Sequence, residues 1–147
     1  MTNGIVEILL VEDNPNDVEL TLAAFADSGL VNRIEVVRDG AEALDFVFGQ
    51  GGQAGRNPCH TPKVILLDLK LPRVDGIKVL RRLKEDERTR VIPVVVLTSS
   101  REDRDLIECY RLGANSYIVK PVDFEQFTGA VRHLGLYWVL MNERPRI

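Results

Sequence analysis

Four short apolar runs in the chain each end in a polar or charged residue. Three of the runs contain only Val, Ile and Leu, and the fourth begins with Tyr; such runs are typical of strands buried on both faces in a parallel sheet covered by helices. Because ligands bind beyond the carboxyl ends of such strands, the residues after each run are candidates for chemistry. The runs and the residues that follow them are Leu9–Val11 with Glu12 and Asp13, Val64–Leu67 with Asp68, Val94–Leu97 with Thr98, and Tyr117–Val119 with Lys120.

Segments with helical spacing of apolar residues separate these runs. Asn14 and Pro15 start the first helix, which we expect to end at Gly29. Five strand–helix units predict an α/β fold: a doubly wound, five-stranded parallel sheet in the order 2-1-3-4-5, a flavodoxin-like three-layer sandwich. The other expected elements are strands at 5–11, 34–37, 63–68, 92–97 and 116–119, a helix over Ala41–Phe48 capped by Asp39, a helix that turns Ile77, Leu80 and Leu83 inward, a helix from Glu102 to Leu112 stopped by Gly113, and a last helix from Asp123 or Phe124.

The composition is that of an ordinary globular protein. At 147 residues, with 45% apolar and 28% charged residues, the chain is most simply one domain over 1–147, with its core at about 5–135 and a helical tail at 136–147. The net charge of −3 argues against nucleic-acid binding. No apolar stretch reaches the roughly 20 residues that cross a bilayer, and no basic segment precedes Ile5. We therefore expect a cytoplasmic protein that has no signal peptide and does not bind a membrane.

The two cysteines and the longest loop add little chemistry. Cys59 and Cys109 form no CxxC pair, which favours free thiols in a reducing cytoplasm. The adjacent Cys59 and His60 suggest a zinc corner, but no second ligand pair follows at a suitable spacing. The segment 49–62, rich in Gly, Gln, Asn and Pro, predicts a long surface loop that is either a tolerated insertion or a functional element.

The residues at the strand ends suit phosphoryl chemistry. Crowded carboxylates repel each other, and a bound cation such as Mg²⁺ offsets that repulsion. Asp68 is the best nucleophile candidate, because a carboxylate attacks phosphorus to form an acyl phosphate. We expect Asp13 and Asp68 to bind Mg²⁺ directly and Glu12 to act through water. The other expected contacts are the Lys70 backbone carbonyl on the metal, and the Lys120 ammonium and the Thr98 hydroxyl on phosphoryl oxygens.

Each of these residues also has an ordinary structural interpretation. Glu12 and Asp13 match the acidic residues that favour a helix N-terminus. Asp68 also fits a solvated strand end, Thr98 a helix cap and Lys120 a surface charge. The case for a site rests on four separate strand ends that carry complementary groups.

The same residues lie in motifs that resemble the receiver domain of bacterial two-component response regulators. By this resemblance Asp68 is the phosphoacceptor, Glu12 and Asp13 are the acidic pair, and Thr98 and Lys120 are the switch hydroxyl and the phosphate-binding lysine. It also implies that Tyr117 is the aromatic switch residue and that the bond before Pro121 is cis, as is frequent in this family. The motifs are Ile8–Asn14, Leu66–Gly76, Pro93–Ser99 and Gly113–Pro121.

The resemblance implies a switch that is phosphorylated by a sensor histidine kinase, not an enzyme that turns over small molecules. The Asn14–Asp17 start, the long loop and the tail resemble stand-alone regulators associated with phytochrome-type kinases. No output domain is expected after Ile147, so the signal passes through a surface of this domain to a downstream protein or onward to a phosphotransfer domain.

The C-terminal segment predicts self-association. Residues 131–141 hold more apolar groups than one helix stripe buries, and such surfaces mark interfaces. We expect a homodimer through helix 4, strand 5, helix 5 and the tail; alternatively, the tail folds back over its own domain. The apolar residues are Val131, Leu134, Leu136, Tyr137, Trp138, Val139, Leu140 and Met141.

Three other functions fit the pattern less well. A phosphatase of the haloacid-dehalogenase type needs a second acid two residues after its nucleophile, where this chain has Lys70. A flavin or nucleotide binder needs a Gly-rich or Ser/Thr-rich phosphate loop where this chain has Glu12 and Asp13. A receiver fold used only as a scaffold for protein contacts stays open, although the intact signature residues argue against it.

Overall fold

The five predicted strands form one parallel sheet in the order β2-β1-β3-β4-β5, so the predicted order is confirmed. The computed structural model describes residues 6–27, 34–49 and 61–143. The strands are β1 (Ile8–Val11), β2 (Ile34–Val37), β3 (Val64–Leu67), β4 (Val94–Thr98) and β5 (Ser116–Val119). The helices are α1 (Pro15–Ala26), α2 (Gly40–Phe48), α3 (Gly76–Glu85), α4 (Asp103–Leu112) and α5 (Phe124–Gly135), followed by a π-helical tail (Leu136–Met141).

The strand register brings the predicted strand-end residues to one edge. Val11 of β1 pairs with Leu67 of β3, so the residues that follow these two strands emerge side by side. The Asp68 N–H donates to the Val11 carbonyl at 3.1 Å. The Lys120 N–H donates to the Thr98 carbonyl at 2.7 Å, which joins the ends of β4 and β5. The sheet backbone therefore fixes where each candidate side chain begins.

Alternate residues of the central strands fill two separate apolar layers, as the two-residue repeat of a strand requires. One layer lies under α2, α3 and α4, and its strand residues include Leu9, Ile65 and Val96. The other lies under α1 and α5 and contains Phe25, Phe127 and Val131. The strand residues of this second layer include Ile8, Leu10, Val64, Leu66 and Val95. Both faces of the sheet are covered, which explains why β1, β3 and β4 are continuous apolar runs.

Short polar residues cap the starts of α1, α2, α3 and α5, and left-handed glycines end two of the described helices. The Asn14 side chain accepts hydrogen bonds from the N–H groups of Asn16 and Asp17. Gly113 follows α4 with a φ of 109°, so the predicted stop is confirmed. The α1 helix ends at Ala26, and the predicted stop at Gly29 lies outside the described residues. Across the described ranges no helix is long and apolar enough to cross a membrane.

The π-helical tail contacts the second apolar layer. Val139 is buried there and Trp138 packs beside it. The Lys63 ammonium donates to the Val139 carbonyl at 3.2 Å. Tyr137 and Met141 remain 50% and 74% exposed, and the side chain of Leu140 is outside the described part of the chain. The tail thus partly folds back on its own domain while it leaves an apolar surface open.

The cysteine predictions divide between described and undescribed residues. Cys109 is a free, fully buried cysteine in α4. Burial is the main reason that the pKa of its thiol is raised to about 11, so this thiol is a poor nucleophile. The zinc corner at Cys59 and His60, like most of the predicted loop, lies outside the described residues.

Candidate functional site

Three carboxylates meet where β1 and β3 end. Glu12, Asp13 and Asp68 each offer an oxygen, and these oxygens all lie within 4.8 Å of one another. Glu12 and Asp68 are buried, whereas Asp13 is exposed and opens the cluster to solvent. The cluster lines a cavity of about 520 Å³ together with Lys70 and Ser99. Hard oxygen donors at this spacing fit a divalent cation such as Mg²⁺.

The Lys120 ammonium lies among the acids. Its Nζ donates to Glu12 Oε1 at 2.7 Å, to Asp17 Oδ2 at 2.8 Å and to Asp68 Oδ2 at 3.1 Å. Only 10% of the lysine side chain is exposed. Lys120 therefore balances only part of the negative charge of the four acids nearby, which are these three and Asp13. The remaining negative charge is a second reason why the site fits a divalent cation.

Burial and neighbouring charges act in opposite directions at this cluster. Burial raises the pKa of Glu12 to about 7, and the Asp68 charge adds to this while the hydrogen bond from Lys120 opposes it. Burial alone would lower the pKa of Lys120, but hydrogen bonds to Asp17 and Glu12 and the Asp68 charge raise it overall. Lys120 therefore keeps its positive charge although burial acts against it.

The Asp68 carboxylate is held by its own loop as well as by Lys120. Its Oδ1 accepts from the Leu69 N–H at 2.7 Å. The Gly76 N–H in turn donates to the Leu69 carbonyl at 2.8 Å. A Cβ on residue 76 would lie 2.2 Å from the Asp68 carbonyl oxygen, so only glycine permits this close approach. The β3–α3 connection thereby fixes the backbone that carries Asp68.

Thr98 and Tyr117 are linked through one serine in the β4–α4 loop. The buried Thr98 hydroxyl accepts from the Ser100 N–H at 3.3 Å. The Tyr117 hydroxyl donates to the Ser100 carbonyl at 3.1 Å. The Ser100 hydroxyl donates to Asp105 Oδ2 at 2.6 Å, which ties the loop to the first turn of α4. A movement of Thr98 would therefore act on both α4 and Tyr117.

Two further residues contribute to this edge of the sheet, and the sequence alone does not identify them. Asp17 reaches Lys120 across the edge of the sheet, and Ser100 links Thr98 to α4. In the sequence, Asp17 stands three residues after the Asn14 cap, and Ser100 stands two residues after Thr98. Neither spacing identifies a partner, because each contact depends on how a helix packs on the sheet.

The expected cis bond before Pro121 is wrong for this structure. Within the described ranges there is no cis peptide bond, so the Lys120–Pro121 bond is trans. The trans form is favoured by about 0.5–1 kcal/mol for bonds of this type. The Lys120 N–H already bonds to Thr98, and its ammonium reaches the acids with the bond trans.

The sequence matches a known family over most of its length. Residues 8–132 match the family described as the response regulator receiver domain. One relative, the probable methanogenesis regulatory protein FilR2 of Methanothrix harundinacea strain 6Ac, is 46% identical over 94% of this chain and 86% of its own.

Two solved structures are similar in both sequence and fold. The bacteriophytochrome response regulator AtBRR is 52% identical, with a TM-score of 0.70 over 95% of this chain and 99% of that chain. The phosphorylated cyanobacterial phytochrome response regulator RcpA is 36% identical, with a TM-score of 0.87 over 97% of this chain and 99% of that chain. The receiver resemblance of the motifs is therefore confirmed across nearly the whole chain.

Proposed function

Since the chain belongs to the family of response regulator receiver domains, we propose that it is a phosphoacceptor switch in which Asp68 takes a phosphoryl group from a sensor histidine kinase. The observation that carries this proposal is the cluster of three carboxylates with the Lys120 ammonium bonded to two of them. Such a protein assists only its own phosphorylation and dephosphorylation.

In the proposed reaction, an Asp68 oxygen attacks the phosphorus of a phosphohistidine. The P–O bond forms while the P–N bond breaks, and the imidazole leaves on the kinase. Asp13, Asp68 and the Lys70 carbonyl would hold Mg²⁺ directly, with Glu12 acting through water, and the ion supplies charge neutralisation at the phosphoryl oxygens. The Lys120 ammonium would donate a hydrogen bond to a phosphoryl oxygen opposite the metal ion.

The proposed response begins at Thr98. Its hydroxyl gives up the hydrogen bond that it accepts from the Ser100 N–H and donates to a phosphoryl oxygen, and Tyr117 turns inward into the space that Thr98 leaves. The hydrogen bonds of Ser100 to Thr98, Tyr117 and Asp105 support this coupling, because they join all three residues to one loop. The surface of α4, β5 and α5 changes as a result and carries the signal to a downstream protein or a phosphotransfer domain.

The proposed kinase is of the phytochrome type, and the proposed location is the cytoplasm. The support for the kinase is the similarity to two regulators named for phytochromes, one of which is 52% identical over 95% of this chain. The assay is phosphotransfer from a phytochrome-type kinase, compared with transfer from an unrelated histidine kinase. Faster transfer from the unrelated kinase would contradict this assignment.

The proposed assembly is a homodimer through α4, β5, α5 and the π-helical tail. The exposed Tyr137 and Met141 support it, since exposed aromatic and Met side chains are enriched in interfaces. A Tyr137→Ser, Met141→Ser variant is expected to sediment as a monomer where the wild type sediments as a dimer. A monomeric wild type at high micromolar concentration, with and without a phosphoryl mimic, would refute the dimer.

The test of the phosphoacceptor role uses acetyl phosphate as donor and the intact protein mass as readout. The wild type is expected to gain one phosphoryl group in Mg²⁺ and none in the presence of a chelator. Asp68→Asn should gain none, whereas the control Asp123→Asn should behave as the wild type because Asn also caps a helix. An unmodified wild type, or a fully modified Asp68→Asn protein, would refute the role.

A further inference from the structure

Asp17 is a fourth acid at the site, and it contacts only the lysine side of it. Its carboxylate lies 2.8 Å from the Lys120 Nζ, compared with 2.7 Å for Glu12 and 3.1 Å for Asp68. It does not belong to the group of three acids whose oxygens converge for a metal ion. Its side chain is 22% exposed, so water screens this contact only in part.

We propose that Asp17 is a positioning residue for Lys120 in phosphoryl transfer, an inference that rests on the phosphoacceptor function proposed above. An ammonium group has three N–H donors. Glu12 and Asp17 take two of them, and the third points at Asp68 Oδ2. Because two donors are fixed, the third is directed at the Asp68 carboxylate, which receives the phosphoryl group.

The start of α1 holds Asp17 in place for this task. The Asp17 N–H donates to the Asn14 side chain at 3.1 Å, and the Thr21 hydroxyl donates to the Asp17 carbonyl at 2.7 Å. Pro15 occupies the first turn and fixes the backbone further. A free lysine side chain samples many rotamers, so a partner on a rigid helix start reduces the entropic cost of ordering it.

Two other roles for Asp17 predict a different effect of its removal on phosphoryl binding. If Asp17 competed with the phosphoryl group for Lys120, its removal would strengthen phosphoryl binding. If it were only an acid that stabilises the α1 N-terminus, its removal would change stability alone. Positioning predicts weaker binding of a phosphoryl group and of its mimics.

Glu125 provides a matched control for Asp17. It also lies in the first turn of a helix, its N–H is capped by Asp123, and the Thr128 hydroxyl donates to its carbonyl. Glu125→Ala therefore removes a first-turn acid and keeps the same kinds of backbone hydrogen bond. The difference between Asp17→Ala and Glu125→Ala isolates the contact with Lys120.

The experiment measures beryllofluoride affinity at saturating Mg²⁺, together with the rate of phosphorylation by acetyl phosphate. Asp17→Ala is expected to bind beryllofluoride about tenfold more weakly, the effect of one charge-assisted hydrogen bond. Asp17→Asn keeps an acceptor oxygen and should fall between Asp17→Ala and the wild type, while Glu125→Ala matches the wild type. A ¹⁵N resonance of the Lys120 ammonium is expected to broaden or vanish in Asp17→Ala.

Equal or tighter beryllofluoride binding by Asp17→Ala would overturn the positioning role. So would an equal loss in Glu125→Ala, because that result assigns the effect to the helix start. A wild type that neither binds beryllofluoride nor accepts a phosphoryl group would instead refute the phosphoacceptor function, whatever the variants do. Thermal melting of each variant identifies any loss that comes from unfolding.

Discussion

Lys84 and Lys120 are both partly buried, yet their surroundings shift their pKa values in opposite directions. Lys84 donates to the backbone carbonyls of Arg90 and Ile92, each at 2.9 Å, and burial lowers its pKa to about 8. Burial acts on Lys120 in the same direction, but three carboxylates outweigh it and raise the pKa overall. The neighbours of an amine therefore decide its charge where depth alone does not.

The two lysines also differ in what their contacts are for. Lys84 joins α3 to the segment before β4, and its stem packs beside Gly113 at the end of α4. Neutral carbonyls hold it there, which is a structural role. Lys120 joins three carboxylates beside a cavity, where its ammonium is placed to donate to a bound phosphoryl group. The same substitution at both positions therefore separates the structural role from the chemical role.

The largest difference is expected in phosphorylation. Lys120→Met should be phosphorylated by acetyl phosphate about 100-fold more slowly, because it loses a donor to the developing phosphoryl charge. Lys84→Met should retain the wild-type rate. Rates follow from the intact mass over time, and a Lys120→Met rate within twofold of the wild type would remove the chemical distinction between the lysines.

The next largest difference is expected in stability. Lys120→Met leaves Glu12, Asp17 and Asp68 without their cation, at a cost of about 3 kcal/mol in the free energy of unfolding. Lys84→Met loses hydrogen bonds to carbonyls and should cost about 1 kcal/mol. Urea denaturation at pH 7 without metal measures both, and equal losses would show that the carboxylates make no difference.

The third difference is expected in Mg²⁺ affinity, which should improve when Lys120 is replaced. Removal of the Lys120 charge leaves the acid cluster more negative, so Lys120→Met is expected to bind Mg²⁺ about tenfold more tightly than the wild type. Lys84→Met should match the wild type. Calorimetric titration measures the affinities, and weaker Mg²⁺ binding by Lys120→Met would show that the lysine helps to build the metal site.

The smallest difference concerns pH. The pKa of Lys84 is about 8 in the folded protein and 10.5 when unperturbed, so the unfolded chain binds more protons between these values. Stability therefore rises with pH through this window for the wild type, relative to Lys84→Met. Urea denaturation at pH 7.5 and pH 9.5 tests this, and a wild-type advantage that shrinks at pH 9.5 would show that burial does not govern Lys84.

The strand ends were predictable because local pattern and sheet geometry agree there. A buried parallel strand appears in the sequence as an apolar run, and the residue after the run lies at the ligand-binding edge of the sheet. Glu12 follows Val11 in this way, and Asp68 follows Leu67. The helix start at Asn14 and the helix stop at Gly113 were equally predictable, since each depends on the backbone of its own helix end.

The missed features depend on packing between distant elements. Asp17 and Lys120 are 103 residues apart in sequence, and they meet only because the fold brings the start of α1 to the end of β5. The tail contains enough apolar residues for an interface, but only the structure shows that Val139 is buried against its own domain. The bond before Pro121 was assigned from resemblance, and no local pattern in the chain specified its isomer.

Reductive trapping determines whether Asp68 itself receives the phosphoryl group. Borohydride reduces an aspartyl phosphate to a stable product, which fragment-ion mass spectrometry then locates in the sequence. After reaction with acetyl phosphate and Mg²⁺, we predict a reduced residue at position 68 alone, and none when a chelator is present. A reduced residue at Asp13, Asp17 or another acid in place of Asp68, or no reduced residue at all, would show that Asp68 is not the phosphoacceptor.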